Sequence, residues 1–168
     1  MTAWSERTHE ERHLLNPAFC AILLWQAALG ASENQRSLRS TLAYIESFLI
    51  LPLTLHQQTR NSLPNRIDSS LPIWVRDNPL AVDVFPARAS SLVSYTKEAL
   101  IFGISGELYQ IDGDQIQVNA DKESAIKKML GGATNEVRQC NQKARFLGKW
   151  FTYTGNPETI FTLFGIRP

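Results

Sequence analysis

Glu107-Leu108-Tyr109-Gln110-Ile111-Asp112-Gly113-Asp114-Gln115-Ile116-Gln117-Val118 is where the fold can be read most directly. Two alternating runs, Glu107 to Ile111 and Gln115 to Val118, flank Asp112, Gly113 and Asp114. Asp-Gly favours the tight turns whose twist suits a β-hairpin. A two-residue loop pairs Ile111 with Asp114 and Tyr109 with Ile116, which puts Tyr109, Ile111, Ile116 and Val118 on one face. Just upstream, Ala87 to Phe102 is helical in pattern, with Ala89, Leu92, Val93, Thr96, Leu100 and Ile101 spaced for one face and Gly103 near the end. A helix followed by a small hairpin is the order of a winged helix. The fold class read from the sequence is therefore mainly α with a small β-hairpin, a winged-helix-like single domain.

Working back towards the N-terminus, four prolines (Pro64, Pro72, Pro79 and Pro86) cut the stretch from Thr54 to Pro86 into pieces. Only one- or two-turn helices fit there, around His56 to Leu63 and Leu71 to Asp77. This connector is folded, because Leu63, Ile67, Leu71, Trp74 and Val75 need burial. A helix from about Ser37 to Leu51 precedes it, with Leu42, Ile45, Phe48 and Leu49 on one face and Pro52 as its limit. Asn16 and Pro17 open an earlier one: the Asn side chain caps free N–H groups, and proline loses nothing at the first helical position. That buried helix covers residues 17 to 29, with Gly30 as a left-handed stop.

Downstream, Asp121 to Leu130 reads as a short helix ended by Gly131 and Gly132. From there Ala133, Val137, Cys140, Ala144, Leu147 and Phe151 recur at steps of four and three, a seam for packing against another helix. Asn156 and Pro157 repeat the opening signal of the first helix. Trp150, Phe151, Phe161 and Phe164 add more apolar surface than a short helix pair readily buries, so they are the candidate partner-binding residues. Arg138, Arg145 and Lys149 share one flank of the long helix. A solvated face is the commoner explanation of such charge; the functional one is contact with phosphate or an acidic partner.

The chain has 168 residues, 43% of them hydrophobic and 20% charged, enough for one compact domain with its own core. Within it, residues 1–14 form a polar N-terminal segment, 15–120 the helical core with the hairpin, and 121–168 the C-terminal helices that offer a partner-binding region. A net charge of +1 selects no class of partner. The charge is uneven, however: residues 1–120 carry 9 Lys or Arg against 12 Asp or Glu, and residues 121–168 carry 8 against 4. Cys20 and Cys140 are far apart among apolar or helix-forming neighbours, as reduced core cysteines are. No apolar run reaches the roughly 20 residues of a membrane span. A cytoplasmic protein with no membrane partner is expected.

His9-Glu10-Glu11-Arg12-His13 formally matches H-E-x-x-H, in which two histidines one turn apart hold zinc and the glutamate acts as base. Glu33, 20 residues after His13, has the spacing of a third ligand in some zinc peptidases. Only eight residues, most of them polar, precede the motif, and Asn16-Pro17 starts a new helix just after it, so no scaffold backs a metal site. His56 reads as a helix-start or packing residue. No Ser, Cys or Lys stands in a nucleophile motif and no glycine-rich phosphate loop occurs. No catalytic, metal or cofactor site is assigned.

The ordered segments Asn16-Pro17-Ala18-Phe19-Cys20, Leu51-Pro52-Leu53 with His56, Thr59-Arg60 and Leu63-Pro64, Trp74 with Asn78-Pro79, Glu98-Ala99-Leu100 with Phe102-Gly103, Phe146-Leu147-Gly148-Lys149-Trp150, and Gly165-Ile166-Arg167-Pro168 carry a family resemblance. Together they resemble the middle component of bacterial three-component ABC-ATPase systems, the Lamassu-type defence systems. The likeness spans nearly the whole chain and consists of packing and turn residues without a catalytic signature. It implies a winged-helix-like adaptor that joins an SMC- or Rad50-like ABC ATPase to an effector, often a nuclease, and restrains it until foreign DNA is sensed. DNA is then met through the complex and only weakly by this chain. Two other readings stay open. A free-standing winged-helix DNA-binding regulator needs a basic recognition helix, and Ala87 to Phe102 offers only Arg88 and Lys97. The other is the zinc hydrolase.

Overall fold

The computed structural model describes residues 15–33 and 39–166. It is mainly α with one small sheet. In chain order the elements are α1 (Pro17–Glu33), β1 (Leu42–Ala43), α2 (Ser47–Thr54), α3 (Gln57–Ser62), α4 (Leu71–Asp77), α5 (Pro79–Asp83), α6 (Phe85–Ser91), α7 (Val93–Ser105), β2 (Tyr109–Asp112), β3 (Gln115–Val118), α8 (Glu123–Leu130), α9 (Asn135–Thr154) and α10 (Pro157–Leu163).

The Asn-Pro openings act as the sequence predicts. Asn16 Oδ1 accepts from the Ala18 N–H at 2.9 Å, and Asn156 Oδ1 from the Thr159 N–H at 2.9 Å. Gly30 does not stop α1. The helix runs on to Glu33, because Gly30 lies where α9 crosses and a β-carbon there would overlap the Arg145 carbonyl. Gly148 on α9 meets the Ala27 carbonyl of α1 in the same way. Two glycines, flanked by the buried Ala27, Ala31 and Ala144, thus bring the two backbones into contact. Being apolar on every side, α1 is a central helix, with α9 and α7 as its main neighbours.

From residue 39 to residue 51 the chain does not form the single helix predicted from about Ser37 to Leu51. Leu42 and Ala43 pair antiparallel with Ile116 and Gln115 of the hairpin, so this segment becomes the third strand of a sheet ordered β1-β3-β2. Pro52 does not end α2 but lies inside it. It removes the bond to the Phe48 carbonyl, and the burial of Leu49, Ile50, Leu51 and Leu53 around it offsets that loss.

The helix before the hairpin is in two parts. Leu92, at φ −97° and ψ 0°, separates α6 from α7, yet still donates to the Arg88 carbonyl at 3.2 Å and accepts from the Thr96 N–H at 2.9 Å. The chain makes a turn there, and Leu92 itself keeps both of its helical bonds. Gly103 sits inside α7, where its missing side chain leaves room for the Tyr109 ring, whose hydroxyl donates to the Ala99 carbonyl at 2.9 Å. The helix ends at Glu107 (φ 55°): Leu108 N–H bonds the Gly103 carbonyl at 2.8 Å and Glu107 N–H the Ile104 carbonyl at 3.0 Å, a Schellman motif.

The hairpin forms, with its register two residues away from the predicted one. Ile111 pairs with Ile116 and Asp112 with Gln115, so the loop is Gly113-Asp114, with Gly113 at φ 60°. Glycine at the first loop position suits a type II′ turn, whereas Asp112-Gly113 would have required the left-handed region at both residues. A shift of two preserves the facing: Tyr109 and Ile116 still point to the core. The structure establishes a mainly α chain with a three-stranded sheet and does not confirm the winged-helix assignment, since the helix before the hairpin is broken and four short helices intervene after β1.

Candidate partner-binding surface

The four aromatics singled out from the sequence are core. Trp150, Phe151 and Phe164 are 0% exposed and Phe161 is 5% exposed. Phe164 packs against Phe85 with centroids 4.6 Å apart, and Trp74 lies edge-on to Trp150 at 6.0 Å. Trp150 Nε1–H donates to the Ser69 carbonyl and Trp74 Nε1–H to the Ser62 carbonyl, each at 2.7 Å, which ties the proline-rich connector down over them. Apolar spacing showed that these rings need a cover; that the connector supplies it depends on contacts about 80 residues apart in sequence. A partner meeting the folded chain therefore meets other side chains.

Of the three basic candidates, Arg145 and Lys149 are held in ion pairs within the chain. Arg145 pairs with Glu33, its Nε donating to Oε2 at 3.0 Å, and its Nη2 donates to Glu123 Oε1 at 2.9 Å. Lys149 Nζ is 3.1 Å from Glu33 Oε2. The Arg145 guanidinium holds the Glu33 carboxyl below its usual range, burial opposes this, and Lys149 reinforces it. Arg138 is exposed and donates to the Ala133 carbonyl at 2.8 Å. With its carboxylate taken up by two cations, Glu33 is a poor third ligand for zinc. His9 and His13 lie outside the described residues. Among the described residues no cluster of His, Cys, Asp or Glu is arranged to hold a metal, and no helix is long and apolar enough to cross a membrane. Cys20 and Cys140 are buried and not disulfide-bonded, and burial pushes the Cys140 thiol up.

A different region has the features of a binding surface. A cleft of about 590 Å³ opens between α3, α5 and α6, lined by His56, Thr59, Leu80, Val84 and Arg88 among others. His56 caps α3, its Nδ1 accepting from the Thr59 N–H at 3.3 Å, so the neutral ring carries its proton on Nε2. Arg88 Nη1 donates to Thr59 Oγ1 at 2.9 Å, and that hydroxyl lies 2.8 Å from His56 Nδ1. Burial, then Arg88, then Arg60 lower the His56 pKa, which favours the neutral ring. Arg60 lies beneath, 1% exposed, with Nη1 donating to the Thr54 carbonyl at 2.7 Å and Nη2 to Glu136 at 3.1 Å. His56 thus fills the helix-start role expected of it. In sequence, the one signal of the cleft is an apolar Pro79-Leu80-Ala81-Val82 step inside a connector broken by prolines.

A model of the family described as ABC-three component (ABC-3C) system Middle Component 3 matches residues 4–168. The chain belongs to that family. Comparison with curated proteins and with solved structures finds no match. For Middle Component 3 the match includes the α1–α9 crossing, the sheet and the cleft alike, and it bears out the resemblance carried by the packing and turn residues. As a component of a three-component ABC system, the protein works alongside the other components of that system.

Proposed function

We propose that this middle component is a non-enzymatic adaptor that joins an SMC- or Rad50-like ABC ATPase to an effector nuclease in an anti-phage or anti-plasmid, Lamassu-type complex of the cytoplasm. The observation that carries this reading is the family match over residues 4–168. The architecture is consistent with it. Glu136, Lys143, Arg145 and Lys149 of α9 are engaged with other segments of the chain, while α5 and the end of α7 present apolar side chains outward: Leu80 is 84% exposed and Ile101 65%. A regulator that reads DNA alone needs cations on the helix before the hairpin. There the chain has Arg88, bonded to Thr59, and Lys97, beside the exposed Ile101, Phe102 and Ile104. DNA is reached through the complex, and contact by the chain alone is weak and salt-sensitive.

The test is co-expression of the full chain with the ATPase and effector encoded beside it, followed by size-exclusion chromatography. A complex containing all three is expected, with no nuclease or ATP turnover by this chain alone. Failure to co-elute, together with tight sequence-selective duplex binding at physiological salt, would replace the adaptor with a regulator. About one zinc per chain, lost in His13→Ala, would favour the hydrolase.

A further inference from the structure

We propose that the cleft between α3, α5 and α6 docks an acidic segment, flanked by apolar residues, from another subunit of the system, with its carboxylate seated on Arg88. This rests on the adaptor reading for the source of the segment and on the geometry of the cleft for its chemistry.

Three observations converge. The first is α5 itself. Pro79–Asp83 is almost wholly apolar, yet not one of its residues is buried, and Leu80 and Val84 project from the cleft rim at 84% and 51% exposure. An element that packs only Val82 partly against the core, yet carries Leu80 at the mouth of a cleft with Val84 just beyond its end, has the composition of a contact surface. The second is charge. Arg60 has its carboxylate in Glu136, whereas Arg88 is paired with no carboxylate among the described residues; its hydrogen bond goes to the neutral Thr59 hydroxyl. A guanidinium has five N–H donors, and a carboxylate can take two of them side by side. The third is His56, which turns its Nδ1 to Thr59 and so holds its remaining proton on Nε2 in a ring that lines the same cleft. Arg88 and His56 supply donors and no acceptor, and the apolar rim supplies the flanking contact. Their complement is an acidic side chain next to one or two apolar ones.

A nucleic acid backbone fits this site less well. Phosphate tracks are held by several exposed cations and offer nothing to Leu80 and Val84. The cleft instead is lined by a single cation, Arg88, which has no carboxylate partner among the described residues, and the Asp77 carboxylate on its edge is paired with Arg76 at 2.9 Å. A protein segment uses both halves of the surface.

The experiment uses the full chain with its co-expressed ATPase and effector. Leu80→Glu and Arg88→Ala are compared with wild type and with Ile101→Glu on α7, and thermal melts are recorded for each. Leu80 touches the fold so little that its substitution leaves the melt unchanged, which keeps the test valid even if Arg88→Ala loses stability along with its Thr59 bond. Each cleft variant is expected to weaken association with one subunit by at least about tenfold, as a central contact does, while Ile101→Glu binds that subunit like wild type. If the wild-type complex forms and Leu80→Glu binds as tightly, the cleft is not the docking site and the adaptor reading stands. If no complex forms with wild type, both fall. A loss of duplex binding in Arg88→Ala with partner binding intact would mark the cleft as a phosphate site and overturn the proposal.

Discussion

Gly148 of α9 lies directly against the backbone carbonyl of Ala27 in α1, and a β-carbon placed on it would overlap that oxygen and crowd the Ala31 nitrogen. Alanine is the better helix former by about 1 kcal/mol, so at an exposed site the substitution would stabilise. Here the obstacle is backbone, which cannot swing aside as a side chain can. Gly148→Ala is expected to destabilise by about 1–3 kcal/mol or more, the range for overpacking a core. Chemical denaturation at equilibrium measures it, and a gain in stability would show that the two helices can part at no cost.

Arg39 ties three segments together through Glu46. Its guanidinium donates to both Glu46 oxygens at 3.0 and 2.7 Å, and also to the Gly155 carbonyl at 3.0 Å and the Phe151 carbonyl at 3.3 Å, at the C-terminal end of α9. Glu46, 0% exposed, accepts in addition from the Ala43 N–H at 2.8 Å. Removing Arg39 leaves this carboxylate buried without a cation. Arg39→Ala is expected to cost about 3–5 kcal/mol, and adding Glu46→Gln should recover part of it, because the charge itself is the larger penalty. Urea melts of the two single variants and the double variant give the coupling.

Phe164 distinguishes core from interface. Its ring is fully buried against Phe85 and Trp74, so Phe164→Ala is expected to lower stability by about 3–5 kcal/mol. Binding of the surviving folded fraction to its partner should be unchanged. A normal melt with weakened binding would return this residue to the association surface.

The Glu33 pair supplies a pH signature. Arg145 and Lys149 hold the folded-state pKa of Glu33 below its ordinary value of 4.5. A depressed carboxyl pKa means that the unfolded chain takes up the proton first as pH falls. The stabilisation is therefore complete above that ordinary value and disappears as pH drops through the folded one. Glu33→Gln should be less stable than wild type at neutral pH, and the gap should close as pH falls through the depressed folded-state pKa and the carboxyl protonates. Thermal melts of both proteins across pH 3 to 7 follow it; a gap that persists at low pH would assign the effect to packing instead of charge.

What the sequence determines by itself is local. Asn16-Pro17 and Asn156-Pro157 mark true helix starts because a cap and its first turn lie within four residues. The stretch from residue 107 to 118 marks a hairpin because a tight turn and alternation are both short-range, and the spacing of Val137, Cys140, Ala144 and Leu147 marks a helix with one apolar side. Several of the predictions that fail depend on a contact with another element of the chain. Leu42-Ala43 reads as helix until β3 offers it a strand edge, and Gly30 and Gly103 read as stops until α9 and Tyr109 occupy the space they leave. Trp150 and Phe164 read as surplus surface until the connector closes over them. Arg88 and Leu80 are unremarkable in sequence and become a surface only because α5 and α6 fold beside His56. Periodicity records which side of an element is apolar, since that is a property of the element's own geometry. Only the tertiary structure decides what covers that side, because the covering group is chosen by packing over the whole chain.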